Sequence, residues 1–393
     1  MTERREVVIT GVGLLSSLGE GVEATWDRLV SGPPSHDAEA FAPFIVHRLG
    51  SVNFELQIPK KGDQRQMEPW QRIGAYTAGL ALASAGVKGD PALLDRTDMI
   101  VAAGGGERDV AVDGKILSGI HGHPNPEAFV NERLMNDLRP TLFLAQLPNL
   151  VAGNISIVHG VVGSSRTFIG EESAGVDAVR VAHARIAARQ SDITLVGGAY
   201  NAERLDIVLN YELACALLRP PFRSVWDRGP RGGVALGSFG GFLVLEAREH
   251  ADARGAVPLA RLTHVTSGRT PRAPGDVAAA LDGMWSEIAG TIRPGAAAVL
   301  SGASGAEPAS SEEKTFLAGQ GLPVRATGTH IGQGFEAQFT ANLVIATEIL
   351  RRGELFPAAG TGDTGTASEP VSQVAVTSVG HWRGEGVALV ERV

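Results

Sequence analysis

Gly160–Val181, GVVGSSRTFIGEESAGVDAVRV, reads as a strand driven directly into a helix. Ser165 to Ile169 has strand character and a tight turn follows. Ser173, Ala174 and Gly175 then open a helix whose apolar stripe runs through Val176, Val179, Val181 and Ile186. A strand feeding a helix aims the first helical side chains and backbone N–H groups at one point, and that point favours negative charge. The residue at this point is Glu172.

The surrounding chain has 393 residues, enough for two or three units of ordinary domain size. Fifty glycines with only 5% aromatic residues predict many tight turns and close backbone approaches, as in α/β proteins. A formal net charge of −8 argues against a nucleic-acid partner, which would need a basic face. No apolar run approaches the roughly 18 residues of a membrane span. The opening MTERREVVITGVG enters a strand at once, without the apolar stretch of a signal peptide. A single cysteine, Cys215, excludes an intrachain disulfide framework and a thiolate metal cluster. A cytoplasmic protein without a cofactor is expected.

Glu6 to Ile9 reads as a strand and Thr10-Gly11-Val12-Gly13 as a glycine turn, with a helix over Val22 to Val30. GVG is a poor dinucleotide fingerprint: Ser16 replaces its third glycine and no suitable acid follows a second strand. Residues 33–68 read as surface loop, Pro69 to Ala85 as helix and Met99 to Ala103 as strand. His121 and His123 have the spacing of a metal pair, but lie in a Gly/Pro loop with no nearby cysteine or spaced acid, and are read as loop. Ile193 to Val196 is a strand closed by Gly197-Gly198-Ala199, and Phe242 to Leu245 is a strand after the glycine-dense segment that starts at Trp226. Cys215, in YELACAL, reads as a buried small hydrophobe. The polar stretch Arg248 to Arg261 is the natural junction. Beyond it come a helix (Val277 to Ile292), a strand (Ala296 to Leu300), helices over Ser311 to Gly319 and Phe335 to Arg351, and strands over Val374 to Ser378 and Val387 to Glu391. GTGDTG at Gly360 to Gly365 matches dinucleotide spacing, but no helix opens behind it. Two similar halves, 1–247 and 248–393, with alternating strands and helices predict an α/β protein with helix-covered, parallel-rich sheets.

The strand–turn–helix at Gly160–Val181, the opening VITGVGLLSSLG and the glycine-rich run ending at Glu246 together resemble the β-ketoacyl-ACP synthases. That resemblance implies a thiolase-like fold, two similar β-α halves in five layers (αβαβα), and a dimer working with acyl carrier protein and an acyl chain. The family holds the acyl chain on a cysteine thiolate and uses two histidines and a lysine during malonyl decarboxylation. Matching Gly175 to the family's glycine puts Glu172 at the cysteine. The run Leu300 to Gly305 puts Gly302 at the first histidine. The run Arg325 to His330 puts Arg325 at the lysine and His330 at the second histidine. The C-terminal glycine turn falls on Ser378 to Gly384, so His381 and Trp382 stand where the family has its gating Phe and an open glycine, and are the candidate substrate-binding residues.

A carboxylate at a helix start is favoured in its charged form, which suits an ion pair. A Glu172–Arg325 pair filling the site is therefore predicted, with His330 held by hydrogen bonds. The pattern is similar to that of chain-length factors, relatives that lack the cysteine and pair with an active ketosynthase; these commonly carry Gln, so Glu172 departs even from them. The expected function is a non-condensing ketosynthase-like subunit, in a homodimer or in a heterodimer with a catalytic homologue, serving fatty-acid, lipid or polyketide synthesis. An active acyltransferase or decarboxylase, and a scaffold homodimer unrelated to acyl chemistry, are the competing expectations.

Overall fold

The structure, a computed structural model, describes residues 4–140 and 142–393. Its frame consists of strands β1 (Val7–Ser16), β2 (Asp98–Ala103), β3 (Ser165–Ile169), β4 (Ile193–Tyr200), β5 (Phe239–Ala247), β6 (Ala260–Gly268), β7 (Ala297–Ser301), β8 (Val324–Ala326), β9 (Gln373–Val379) and β10 (Glu385–Glu391). Their spatial order is β8-β7-β9-β10-β6-β1-β5-β4-β2-β3. Each half therefore uses the same plan: third, second, fourth, fifth, first. The fifth strand is antiparallel to both neighbours, and the second, third and fourth are parallel. The halves meet where β1 runs antiparallel to β6, in register at Val8 with Arg261 and Ile9 with Ala260.

Six helices complete the layers: α1 (Pro69–Ser84), α2 (Leu150–His159), α3 (Glu172–Ala187), α4 (Asp276–Ala289), α5 (Ala309–Gln320) and α6 (Gln338–Arg352). α1 and α2 cover the outer face of the N-terminal strands, α4 and α5 that of the C-terminal strands, and α3 and α6 lie between, touching strands of both halves. A helix between two sheets must be apolar or satisfied all round; α6 is buried from Gln338 through Leu350. The five-layer α/β architecture is the one expected from the sequence.

Some local expectations are corrected. Thr10 to Gly13 is not a turn, because β1 continues through it to Ser16. A Cβ on Gly11 would stand 2.4 Å from the Ala81 carbonyl oxygen, and one on Gly13 2.3 Å from that of Thr77. These glycines let α1 lie directly on the strand. β4 likewise runs through Gly197 and Gly198 to Tyr200. Cys215 is exposed rather than buried, because the helix Leu205–Leu213 has ended and the chain turns at the surface with Cys215 at φ +53°. Among the described residues no helix is long and apolar enough to cross a membrane.

Candidate functional site

Glu172 is the first residue of α3, immediately after the turn that leaves β3. The small residues behind it matter for packing. A Cβ on Gly175 would stand 2.6 Å from the backbone oxygen of Glu336, so only glycine lets the start of α3 press against the turn Phe335–Ala337 that leads into α6. Phe335 in that turn has φ +35°, a backbone state that costs a non-glycine residue on the order of 1–3 kcal/mol.

The Glu172 side chain is 1% exposed. Its Oε1 accepts from the His381 backbone N–H at 3.3 Å and from Gln333 Nε2 at 3.3 Å, and stands 3.2 Å from His381 Nδ1. Its Oε2 has no partner. The His381 ring packs among Tyr211, Phe335 and Trp382, with centroids 5.3, 5.4 and 4.6 Å away. Trp382 is 53% exposed and caps this group from solvent.

The predicted Glu172–Arg325 pair is not formed. Arg325 spends its fork on backbone carbonyls: Phe356 at 2.6 Å, Val324 at 2.8 Å, Thr364 at 3.0 Å and Gly365 at 3.3 Å. It ties β8 to the segment 356–365, and burial lowers its pKa. His330 is also not held by hydrogen bonds. Both ring nitrogens are buried without partners, and the ring stands edge-on to Phe356 at 5.5 Å. Burial pushes its pKa down to about 4, so the imidazole is neutral at physiological pH. Gly302 donates its N–H to the Thr377 carbonyl at 3.0 Å. A Cβ there would stand 3.2 Å from Asn342 Nδ2 and 3.4 Å from Gln338 Cγ, so α6 fills the direction a side chain would take. Thr327 Oγ1 donates to Asn342 Oδ1 at 2.7 Å and accepts from Gln338 Nε2 at 3.0 Å, which makes this a neutral amide–hydroxyl network.

The structure thus joins Glu172 to His381, with Trp382 against the ring, whereas Gly302 and Arg325 are tied to backbone carbonyls elsewhere and the His330 ring has no hydrogen-bond partner. Gln333, Tyr211 and Glu336 were not foreseen. Burial, followed by the nearby Glu172 and Glu171 charges, pushes the Glu336 carboxyl up to about 8, so it is protonated at neutral pH. Only its closeness to the start of α6 could have marked it in the sequence. Among the described residues no group of three or more His, Cys, Asp or Glu is arranged to hold a metal ion. His123 faces the backbone oxygen of Asn125 at 2.9 Å, as a loop residue would. The Glu172–His381 pair brings a carboxyl oxygen within 3.2 Å of an imidazole nitrogen, but it offers no thiol. Cys215 instead lines a surface groove with Glu212, Arg219 and Arg228.

Comparison with known proteins gives three findings. The family model described as "Beta-ketoacyl synthase, N-terminal domain" matches residues 4–251. The 3-oxoacyl-[acyl-carrier-protein] synthase 2 of Rhizobium meliloti (strain 1021) is 29% identical over 271 residues; the match covers 64% of this chain and spans 61% of that relative's length. Two solved structures share the fold. One is the ishigamide ketosynthase/chain length factor, with TM-score 0.80, 19% identity, and coverage of 99% of this chain and 100% of that one. The other is a type II PKS acyl-carrier protein in complex with its ketosynthase bound to the hexaketide, with TM-score 0.75, 18% identity and the same coverage.

Proposed function

The chain belongs to the β-ketoacyl synthase family, and from that membership we propose that it serves fatty-acid or polyketide assembly as a non-condensing, chain-length-factor-like subunit beside a catalytic ketosynthase. The observation that carries this is Glu172, buried at the helix start and engaged by His381 and Gln333 where a nucleophilic thiol would be required. A carboxylate there forms no thioester. Gly302 brings no imidazole, and loss of one such electrostatic stabiliser alone is worth roughly 10²–10³ in rate.

The partners proposed are an acyl carrier protein with its acyl chain, and a second ketosynthase-type subunit. Supporting a dimer, the outer side of β3 has no strand partner among the described residues. Exposed apolar residues accompany it: Ile169, Ile157, Val162 and Phe143. An open strand edge with apolar neighbours invites a partner. We take the halves 1–247 and 248–393 as the two units of this subunit.

The test incubates the purified protein with acyl- and malonyl-loaded carrier protein, alone and mixed with a catalytic ketosynthase from the same source. Alone, neither acylation of the protein nor malonyl decarboxylation is expected; mixed, chain elongation should exceed that of the ketosynthase by itself. Acyl transfer onto the protein, or decarboxylation abolished by Glu172→Ala, would overturn the proposal. Glu172→Cys alone should remain inactive.

A further inference from the structure

Phe335 and Glu336 also border a cavity of about 80 Å³, together with Trp70, Gly104, Tyr200 and Arg204. Three of these residues carry a buried polar atom without a partner: Trp70 Nε1, Tyr200 Oη and Glu336 Oε2. Buried polar groups in folded proteins are overwhelmingly paired, so three orphans around one small cavity call for an occupant that forms hydrogen bonds. Two other polar liners, Arg204 and Asn201, are already engaged. Arg204 donates to the Gly106 carbonyl at 2.8 Å and to Asp206, and Asn201 donates to Glu107 at 3.1 Å. Gly104 makes room for the carboxyl, because a Cβ there would stand 2.5 Å from Glu336 Oε1.

The orphans are donors. The Trp70 indole can only donate. Burial, with Glu336 nearby, raises the Tyr200 hydroxyl well above its ordinary value, so it keeps its proton. Glu336 keeps its proton at neutral pH for the reasons given above. An anion is disfavoured by the adjacent Glu171 and Glu172. The matching ligand group is therefore a neutral oxygen acceptor. The volume holds several water-sized groups, so it accepts a short segment of a chain.

Resting on the acyl-chain reading above, we propose that this cavity selects an acyl chain bearing a keto or hydroxyl oxygen over a plain alkyl chain of equal length. Glu336 and Tyr200 are its specificity-determining residues. An alkyl segment in the same space leaves all three donors unpaired. The charged and titratable groups facing Glu336 are Glu171 and Glu172 at the start of α3, Arg204 with Asp206, Tyr200 and Tyr211; His381 adjoins Glu172. As pH rises through about 8 Glu336 loses its proton, ceases to donate and repels the ligand oxygen, so the selectivity declines.

Titration calorimetry on the purified protein, with octanoyl pantetheine amide and its mono-keto analogues at each chain position, tests this. At neutral pH at least one keto analogue should bind about tenfold tighter than the alkyl amide, an advantage that shrinks by about pH 9. Glu336→Leu should remove the preference. Tyr200→Phe should reduce it. Glu336→Gln, which keeps a donor, should retain it without the pH dependence. Equal binding of the alkyl amide and every keto analogue, or a preference unchanged in Glu336→Leu, would overturn the selectivity and leave the acyl-chain reading standing. If no acyl amide binds the wild-type protein, both fall.

Discussion

Glu313 is fully buried, and the donors to its side chain are hydroxyls rather than cations: Ser301 at 2.8 Å and Thr377 at 2.6 Å, both to Oε1, while Oε2 has no partner. Burial pushes its pKa up from 4.5 to about 7. The folded protein therefore holds this proton more tightly than the unfolded chain. The associated stability is present below the unfolded pKa and is lost as pH rises through about 7. Glu313→Gln, neutral at every pH, should differ least from wild type near about pH 5 and become relatively more stable by up to about 3 kcal/mol near about pH 9. Urea unfolding at the two pH values checks this; an identical difference at both would contradict it. Single residues were also where sequence reasoning reached its limit. The helix start and its dipole marked Glu172 as a charged residue in a buried setting, and glycine-turn matching marked His381. The proposed partner Arg325 was wrong because its fork is claimed by carbonyls of the segment 356–365, which no local pattern connects to β8.

At the scale of elements, close backbone approach explains both the successes and the misreadings. Periodicity located α1, α3, α4 and α6 to within a few residues, because each buries an apolar face or is buried throughout. Strands β1 and β4 were read short, since glycines that act as local breakers serve here as contact surfaces for neighbouring backbone. β6 went unread because most of its residues are only half-buried, and β8 because it has three residues. Two glycines offer a paired test. In α3, Gly175→Ala puts a methyl against the Glu336 carbonyl, and should destabilise the fold by roughly 1–3 kcal/mol. In α4, Gly283 has nothing within 4 Å of its missing Cβ, and Gly283→Ala should stabilise by roughly 0.5–1 kcal/mol. Opposite signs in urea titrations are expected; a stabilising Gly175→Ala would show that the two segments are not in contact.

For the whole molecule, the proposed dimer would form at the open edge of β3. Ile169, 69% exposed at the end of that strand, lies where a second subunit would continue the sheet. Ile169→Lys should convert a dimer to a monomer in sedimentation velocity without changing the far-ultraviolet circular dichroism; an unaltered dimer would put the interface elsewhere. The repeated strand order has a separate consequence. In both halves the helix that follows the third strand turns into the middle layer, so the electropositive ends of α3 and α6 approach one interior spot. A negative side chain at Glu172 balances that doubled field, which a neutral one would leave uncompensated. The preference for an anion here thus follows from the repeated strand order of the two halves, independently of any reaction at the spot.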